Sequence, residues 1–248
     1  MLLVPAIDLR GGRCVRLLQG RFDAETVYAT DPAEVLDRYL AYGARLIHVV
    51  DLDGARDGAQ GNRSAIERLV AAGRGVVSLQ VGGGVRGRGI ADELLSLGVA
   101  RVVVGSVAVT QPLEIERWLG ELGPDKVVLA FDVRLDEDGT PRLATHGWER
   151  QTGTSLWDMV ERYSAHGLRH VLCTDVARDG ALSGPNLELY REAVRRFPGI
   201  DWQASGGVSE ARDLHTLAAT GVAAVISGRA LLEGRLKPEE LEPFLPAA

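Results

Sequence analysis

The chain repeats itself at half its length. Asp8 and Asp132 lie 124 positions apart, and so do Asp51 and Asp175. The surrounding segments match as well: VPAIDLRGGRCVRL corresponds to VLAFDVRLDEDGTPRL, and YGARLIHVVDLDGA corresponds to HGLRHVLCTDVARDGA. Later glycine motifs repeat at 123 positions, so one deleted residue reconciles the two offsets. The sequence therefore predicts two copies of one half-domain.

Each half contains four units of one strand and one helix. Short runs rich in Val, Ile and Leu alternate with segments whose apolar residues recur at helical spacing. The runs end near Asp8, Asp51, Val81, Gly105, Asp132, Thr174, Ala204 and Gly228. An eight-strand parallel barrel closes without free edges, whereas four strands would expose them. We therefore expect a single α/β domain, a (β/α)8 TIM barrel built from half-barrels 1–124 and 125–248, with an open doubly wound sheet as the alternative.

Three segments between the runs show the helical spacing most clearly, and one long segment shows neither pattern. Helices are predicted at Pro32–Tyr42, Asn62–Ala72 and Asn186–Phe197. The segment Arg134–Thr154 is predicted to be a long loop.

Composition and charge narrow the range of partners. The net charge of −6 over 248 residues provides no basic field for nucleic acid, and no apolar run approaches the length of a membrane span. Without a basic leader, the chain is expected to be cytoplasmic and monomeric. Cys14 and Cys173 have no paired spacing, so we expect reduced thiols, no metal site and no cofactor.

Two aspartates are the candidate catalytic pair. In a (β/α)8 barrel the chemistry lies at the carboxyl ends of the strands, and Asp8 and Asp132 end the first and fifth runs. Those strands lie opposite each other, so both carboxyl groups should face one cavity. Such a pair suits proton transfer if one stays ionised and the other stays protonated. The alternative is that each aspartate caps the following turn or helix.

Glycine clusters follow the third, fourth, seventh and eighth runs. Glycine lets backbone amides approach an anion, and a helix N-terminus adds its positive dipole end. The candidate phosphate-binding residues are Gly83, Gly84, Gly105, Ser106, Gly206, Gly207, Gly228 and Arg229. Because the clusters occupy matched positions in both halves, they predict two phosphate sites and a small bisphosphate substrate. The alternative is that the glycines only form tight turns.

Four further side chains are candidates with open alternatives. Thr174 ends the sixth run, where its hydroxyl could support Asp132 or bond its own backbone. His48 is either a substrate-binding residue or a satisfied core histidine. Arg86 could bind a phosphate or lie exposed at a helix start. Trp148 could stack on a heteroaromatic substrate or pack its own loop.

These motifs resemble the phosphoribosylformimino-aminoimidazole carboxamide ribotide isomerases of histidine biosynthesis. The resemblance covers essentially the whole chain and is carried by PAIDLRGGRCVRL, GARLIHVVDLDGA, QVGGGVR, AFDVR, HGW, TDVARDGALSGPN and SGGV. It implies that Asp8 is the general base, Asp132 the general acid and Thr174 the support of that acid. It also implies substrate-contacting or loop-positioning roles for His48, Arg86, Trp148 and Asp179.

The implied reaction is a cofactor-free Amadori rearrangement of a bis-phosphorylated aminoaldose to an aminoketose. The sister cyclase of the same pathway is disfavoured because its first strand carries a CLDV-like motif where this chain has PAIDLR. A bifunctional isomerase that also accepts phosphoribosylanthranilate has an arginine-rich loop where this chain reads ATHGW, with His146. That bifunctional enzyme and a non-catalytic bisphosphate-binding barrel remain the alternatives.

Overall fold

The computed structural model describes residues 1–18, 21–58, 61–145, 148 and 150–246. The strands are β1 (Leu2–Arg10), β2 (Arg13–Leu18), β3 (Arg21–Ala29), β4 (Leu46–Asp51), β5 (Ser78–Gly82), β6 (Arg101–Val104), β7 (Val127–Leu135), β8 (Pro141–Thr145), β9 (Arg150–Ser155), β10 (His170–Asp175), β11 (Asp201–Ser205) and β12 (Ala224–Ser227). The helices are α1 (Pro32–Ala41), α2 (Leu52–Asp57), α3 (Arg63–Gly73), α4 (Arg88–Leu97), α5 (Ser106–Thr110), α6 (Pro112–Leu122), α7 (Leu156–Ser164), α8 (Leu187–Arg196), α9 (Ala211–Ala218), α10 (Arg229–Leu232) and α11 (Pro238–Leu241), followed by a short 3-10 helix, Glu242–Phe244.

Eight parallel strands close into a barrel. Their order is β1, β4, β5, β6, β7, β10, β11 and β12, and β12 pairs with β1. Within the second half-barrel, β7 pairs with β10 over six positions, from Val128 with His170 to Val133 with Asp175, and this pairing makes the ring continuous. The prediction of a (β/α)8 barrel is confirmed, and the open doubly wound sheet is wrong, since an open sheet would leave two barrel strands as edges.

Each half carries an additional antiparallel hairpin above the barrel rim. β1 continues past Asp8 and pairs with β2, which pairs with β3; β7 continues past Asp132 and pairs with β8, which pairs with β9. The prediction of a loop at Arg134–Thr154 is therefore wrong. These strands were missed because an antiparallel partner above the rim needs no apolar alternation, only a free edge on the strand that extends past it.

The three predicted helices form within one or two residues of their expected bounds, as α1, α3 and α8. Asp31 caps α1 by accepting from Ala33 N at 3.1 Å, and Asn186 caps α8 by accepting from Leu189 N at 3.2 Å. Asn62 precedes α3 but makes no such cap, because its side-chain oxygen accepts from Gly12 N at 2.7 Å. Asn62 therefore holds the β1–β2 turn against the start of α3 and does not cap that helix.

The apolar core has two parts, separated by the barrel wall. A small cluster fills the barrel interior: Val4, Ala6, Leu46, Val103, Val128, Leu172, Ala224 and Ile226. A much larger cluster lies between the barrel and the helices and includes both buried cysteines. Alternate residues of each strand therefore pack inward and outward. No helix in the described part of the chain is long and apolar enough to span a membrane.

Candidate active site

A cavity of about 940 Å³ opens at the carboxyl ends of the barrel strands. It brings together every candidate singled out from the sequence: Asp8, His48, Gly83, Gly84, Arg86, Gly105, Ser106, Asp132, Trp148, Thr174, Asp179, Gly206, Gly207, Gly228 and Arg229. Asp8 lies on β1 and Asp132 on β7, four strands apart around a ring of eight. The two carboxyl groups therefore lie on opposite walls of one cavity.

Asp8 is held by an arginine that the sequence had not indicated. Arg16, on β2, donates to Asp8 Oδ2 at 2.9 Å and to both carboxylate oxygens of Asp179 at 2.7 Å. Burial lowers the pKa of Arg16, but Asp179 and Asp8 together raise it above its ordinary value, so the guanidinium stays charged. Asp8 is thus a buried carboxylate with a permanent cation beside it, and it is not a helix cap.

Asp132 has a different set of partners. Its carboxyl group accepts hydrogen bonds from the side chains of Trp148 and Thr174, and Thr174 is its direct neighbour across the β7–β10 ladder. In the other half, the residue that pairs with Asp8 on β4 is Val50. The Thr174 hydroxyl therefore lies beside Asp132 with no counterpart beside Asp8, and its support of Asp132 stays a prediction. Trp148 adopts a left-handed backbone with φ of 74°.

The two carboxyl groups lie in different electrostatic environments. Burial raises the pKa of Asp132 to about 6, although the Trp148 and Thr174 hydrogen bonds oppose the rise. Burial also raises the pKa of Asp8, where the positive charge of Arg16 opposes the rise and the negative charge of Asp179 adds to it. The group without a neighbouring cation is the better proton carrier near neutral pH.

His48 lies in the cavity floor with 7% of its surface exposed. Its Nδ1 is 3.1 Å from Nε2 of Gln80, a fully buried residue on the adjacent strand. Burial, with the nearby Arg16 charge, lowers the pKa of His48 to about 4. His48 is therefore a neutral imidazole that both faces the cavity and is satisfied from the core.

The glycines that end β5 and β11 have a steric role beside any role in anion binding. Gly83 and Gly206 have φ of 93° and 94°. A Cβ on Gly83 would lie 2.1 Å from the backbone oxygen of Asp51, and one on Gly207 would lie 2.3 Å from that of Gly184. Each loop after a barrel strand packs backbone to backbone on its neighbour. The tight-turn reading therefore applies at these positions, and the anion-binding reading stays a prediction.

The glycines after β6 and β12 have more space. Each directly precedes a short helix, with Gly105 before α5 and Gly228 before α10. A Cβ on Gly105 would meet its nearest atom at 3.8 Å, and one on Gly228 at 3.5 Å, where Arg16 Nη1 is one of the two neighbours. The first amides of these helices have no carbonyl partner within the helix. This is the arrangement by which barrel enzymes hold phosphate.

The two candidate phosphate-binding arginines are engaged by backbone carbonyls. Arg86 is exposed and donates to the oxygens of Ala55 and Arg56. Arg229 donates to Gly180 O at 2.7 Å and to Glu233 Oε1 at 2.7 Å. Both guanidinium groups line the cavity while they tie one strand-end loop to another.

Arg16 was missed because the sequence repeat aligns it with the wrong residue. VRL matches PRL, which pairs Arg16 with Arg142, a rim residue bonded to Asp136 at 2.9 Å. In space, Val15 lies opposite Asp8 and Ala144 opposite Asp132, so the counterpart of Arg16 is the next residue of β8, Thr145. The β7–β8 turn is longer than the β1–β2 turn, and that difference shifts the alignment.

His146, the residue that distinguishes this chain from the arginine-rich loop of the bifunctional isomerases, lies outside the described residues.

Comparison with known proteins agrees with this geometry. Residues 2–237 match the family model described as histidine biosynthesis protein. The chain is 48% identical over 240 residues to a protein of Cronobacter sakazakii and 47% identical over 240 residues to one of Klebsiella pneumoniae. It is 44% identical over 239 residues to one of Alteromonas mediterranea. All three are named 1-(5-phosphoribosyl)-5-((5-phosphoribosylamino)methylideneamino)imidazole-4-carboxamide isomerase, and each alignment covers 96% of this chain and 97% of the relative.

The packing of the strand-end glycines can be tested by matched substitutions. Gly83→Ala should lower the free energy of unfolding by at least about 3 kcal/mol, because the methyl group collides with the Asp51 backbone in addition to straining φ. Gly139→Ala, at a φ of 77° with no atom within 4 Å of the added carbon, should cost only about 1–2 kcal/mol. Urea denaturation measures both. Equal losses would show that backbone strain alone governs Gly83.

The raised pKa of Asp132 predicts a pH-dependent stability. The folded pKa lies near 6 and the ordinary value near 4, so ionisation of Asp132 costs stability as pH rises through this window. Asp132→Asn removes that cost. Its free energy of unfolding relative to the wild type should increase by about 1–3 kcal/mol between pH 4 and pH 8.

Denaturation series at both pH values measure this difference, with Glu137→Gln on the exposed surface as the control. A difference that stays constant from pH 4 to pH 8 would contradict a raised pKa at Asp132.

Proposed function

The chain belongs to the histidine biosynthesis protein family and is an isomerase, and we propose that it catalyses its aldose–ketose rearrangement through Asp132 as general acid and Asp8 as general base. The substrate named by the relatives is a phosphoribosylformimino aminoimidazole carboxamide ribotide with two phosphoribosyl groups. The observation that carries the proposal is the pair of carboxyl groups on opposite walls of one cavity, Asp8 buried and Asp132 half-buried, each with different partners.

The acid step suits Asp132. A pKa near 6 leaves about one tenth of Asp132 protonated at pH 7, against about one thousandth for a free aspartic acid. Asp132 donates its proton to the ring oxygen of the aminoaldose ribose, the C1–O bond breaks, and the nitrogen lone pair forms a protonated imine. Thr174 and Trp148 then stabilise the carboxylate that remains, because both donate to the charged form.

The base step suits Asp8. Arg16 favours the ionised form of this carboxylate and fixes its position on the wall opposite Asp132. Asp8 removes the proton from the carbon next to the imine, and the electron pair of that C–H bond neutralises the imine nitrogen to give an enolamine. Tautomerisation of the enolamine yields the aminoketose. Proton transfers between carbon, oxygen and carboxylates balance without an electron carrier, so no redox cofactor takes part in the proposal.

The phosphates of the substrate would occupy the two ends of the cavity. One site is formed by Gly83 and Gly84 with Gly105 and Ser106, and the other by Gly206 and Gly207 with Gly228 and Arg229. Binding energy from groups remote from the reacting carbons would then hold those carbons between the two aspartates. We propose that the enzyme is monomeric, and we place it in the cytoplasm.

Two alternative functions remain, a non-catalytic bisphosphate-binding barrel and a bifunctional isomerase, and different features of the site bear on each. A barrel that only binds a bisphosphate would gain nothing from a buried carboxyl group whose pKa is raised toward neutrality, because the burial costs stability. Action on phosphoribosylanthranilate depends on the loop around His146. We propose the single-substrate isomerase.

Separate exchanges of the two carboxyl groups test the mechanism. Asp8→Asn and Asp132→Asn should each lower turnover by at least about 100-fold with little change in substrate binding, because neither amide can transfer the proton assigned to it. Ultraviolet absorbance, with the next enzyme of the pathway as the coupling system, measures turnover.

The exposed Asp138→Asn, on the turn after β7, is the matched control and should retain turnover. Near-normal turnover in Asp8→Asn or Asp132→Asn would remove that residue from the mechanism.

A further inference from the structure

Beneath the catalytic carboxyl groups, the barrel interior contains a small polar network. Gln80 on β5 and Gln203 on β11 are both buried, and their side-chain amides pair across the barrel. Gln80 Nε2 donates to Gln203 Oε1 at 2.7 Å, and Gln203 Nε2 donates to Gln80 Oε1 at 3.2 Å. The remaining N–H of Gln80 is directed to His48 Nδ1 at 3.1 Å. The apolar side chains that fill the barrel interior could pack here as well, so this network requires a reason.

The two glutamines are half-repeat mates, 123 positions apart, but the histidine breaks the symmetry. On the ladder, His48 pairs with Ala6 and Gln80, whereas its counterpart Leu172 pairs with Ala130 and Gln203. Each half-barrel therefore carries the same glutamine, but of the two only Gln80 contacts a histidine ring nitrogen. A role in barrel packing alone would apply equally to both.

The orientation of the Gln80 amide favours one state of the imidazole. With Gln80 Nε2 facing both Gln203 Oε1 and His48 Nδ1, its two N–H bonds both serve as donors, and Nδ1 then accepts and carries no proton. Because the ring is neutral, its single proton lies on Nε2. Within the described part of the chain Nε2 has no hydrogen-bond partner, and His48 lines the cavity. The imidazole in the cavity lining thus carries an N–H donor that no described side chain or backbone group uses.

We propose that Gln80 is a positioning residue that holds His48 in its Nε2–H tautomer, so that His48 donates a hydrogen bond to an acceptor oxygen of the bound substrate. The proposal rests on the proposed function for the identity of the substrate. Without Gln80, the ring could place its proton on Nδ1 and present a lone pair to the cavity. The substrate oxygen would then meet an acceptor in place of a donor.

The tautomer can be read directly in the free protein. The chain has five histidines, so selective ¹⁵N labelling gives few signals, and His48→Gln identifies those of His48 by their loss. At neutral pH the wild type should show a protonated, pyrrole-type Nε2 and an unprotonated, pyridine-type Nδ1. A protonated Nδ1 would overturn the proposal without any activity measurement, and this result does not depend on which substrate the enzyme uses.

Matched variants separate positioning from packing. Gln80→Met and Gln203→Met remove the same amide from the same layer of the barrel, half a barrel apart, and only the first removes the bond to His48. Gln80→Met should change the His48 ¹⁵N signals and raise KM about tenfold with kcat within about threefold, since one substrate hydrogen bond present in ground and transition states alike is lost.

Gln203→Met should lose comparable thermal stability yet keep the His48 signals, with KM within about threefold of the wild type. Equal rises of KM in both variants would reduce Gln80 to a packing residue and overturn the proposal, as would a wild-type KM in Gln80→Met.

Absence of turnover in the wild-type protein, with the expected ¹⁵N signals present, would instead contradict the proposed function. If Gln80→Met does not fold, the wild-type spectrum still decides the tautomer.

Discussion

The closure of eight parallel strands is the constraint on which the rest of this structure depends. A half of four strands would leave two edges unpaired, and the contact of β7 with β10 together with that of β12 with β1 satisfies both. The same ladders fix the register of the polar residues. Asp8 pairs with Val50 and Asp132 with Thr174 at equivalent heights, so the two carboxyl groups reach one cavity because the ring closes.

The division of acid and base roles in this cavity depends on the residues that differ between the two half-barrels. A symmetric pair of aspartates would have equal pKa values and no division of roles. Three differences break the symmetry: Arg16 beside Asp8, the Thr174 hydroxyl beside Asp132, and His48 in place of the Leu172 of the other half. Each difference lies within the cavity. The residues that stayed alike, such as the Asn62–Asp51 and Asn186–Asp175 hydrogen bonds, hold the loops in both halves.

The sequence predicted the barrel and the strand-end members of the cavity, because both follow from periodicity, whereas Asp179 came only from the family resemblance. Strand-end positions in a closed parallel barrel converge at one rim, so Asp8, Asp132 and the glycine clusters could be placed without coordinates. Arg16 could not, because it lies on a hairpin strand whose turn differs in length between the halves. The Gln80–Gln203 pair was also beyond prediction: its two members are far apart in the chain and meet only across the closed ring.

The central claim is that the two carboxyl groups differ in proton affinity because only Asp8 has a cation beside it. A ¹³C NMR titration of the aspartate side-chain carboxyl groups in the free protein, assigned with Asp8→Asn and Asp132→Asn, measures this most directly. We expect the signal of Asp132 to titrate near pH 6 and that of Asp8 at a lower pH. Coincident titrations, or a higher pKa at Asp8 than at Asp132, would contradict the assignment of acid and base.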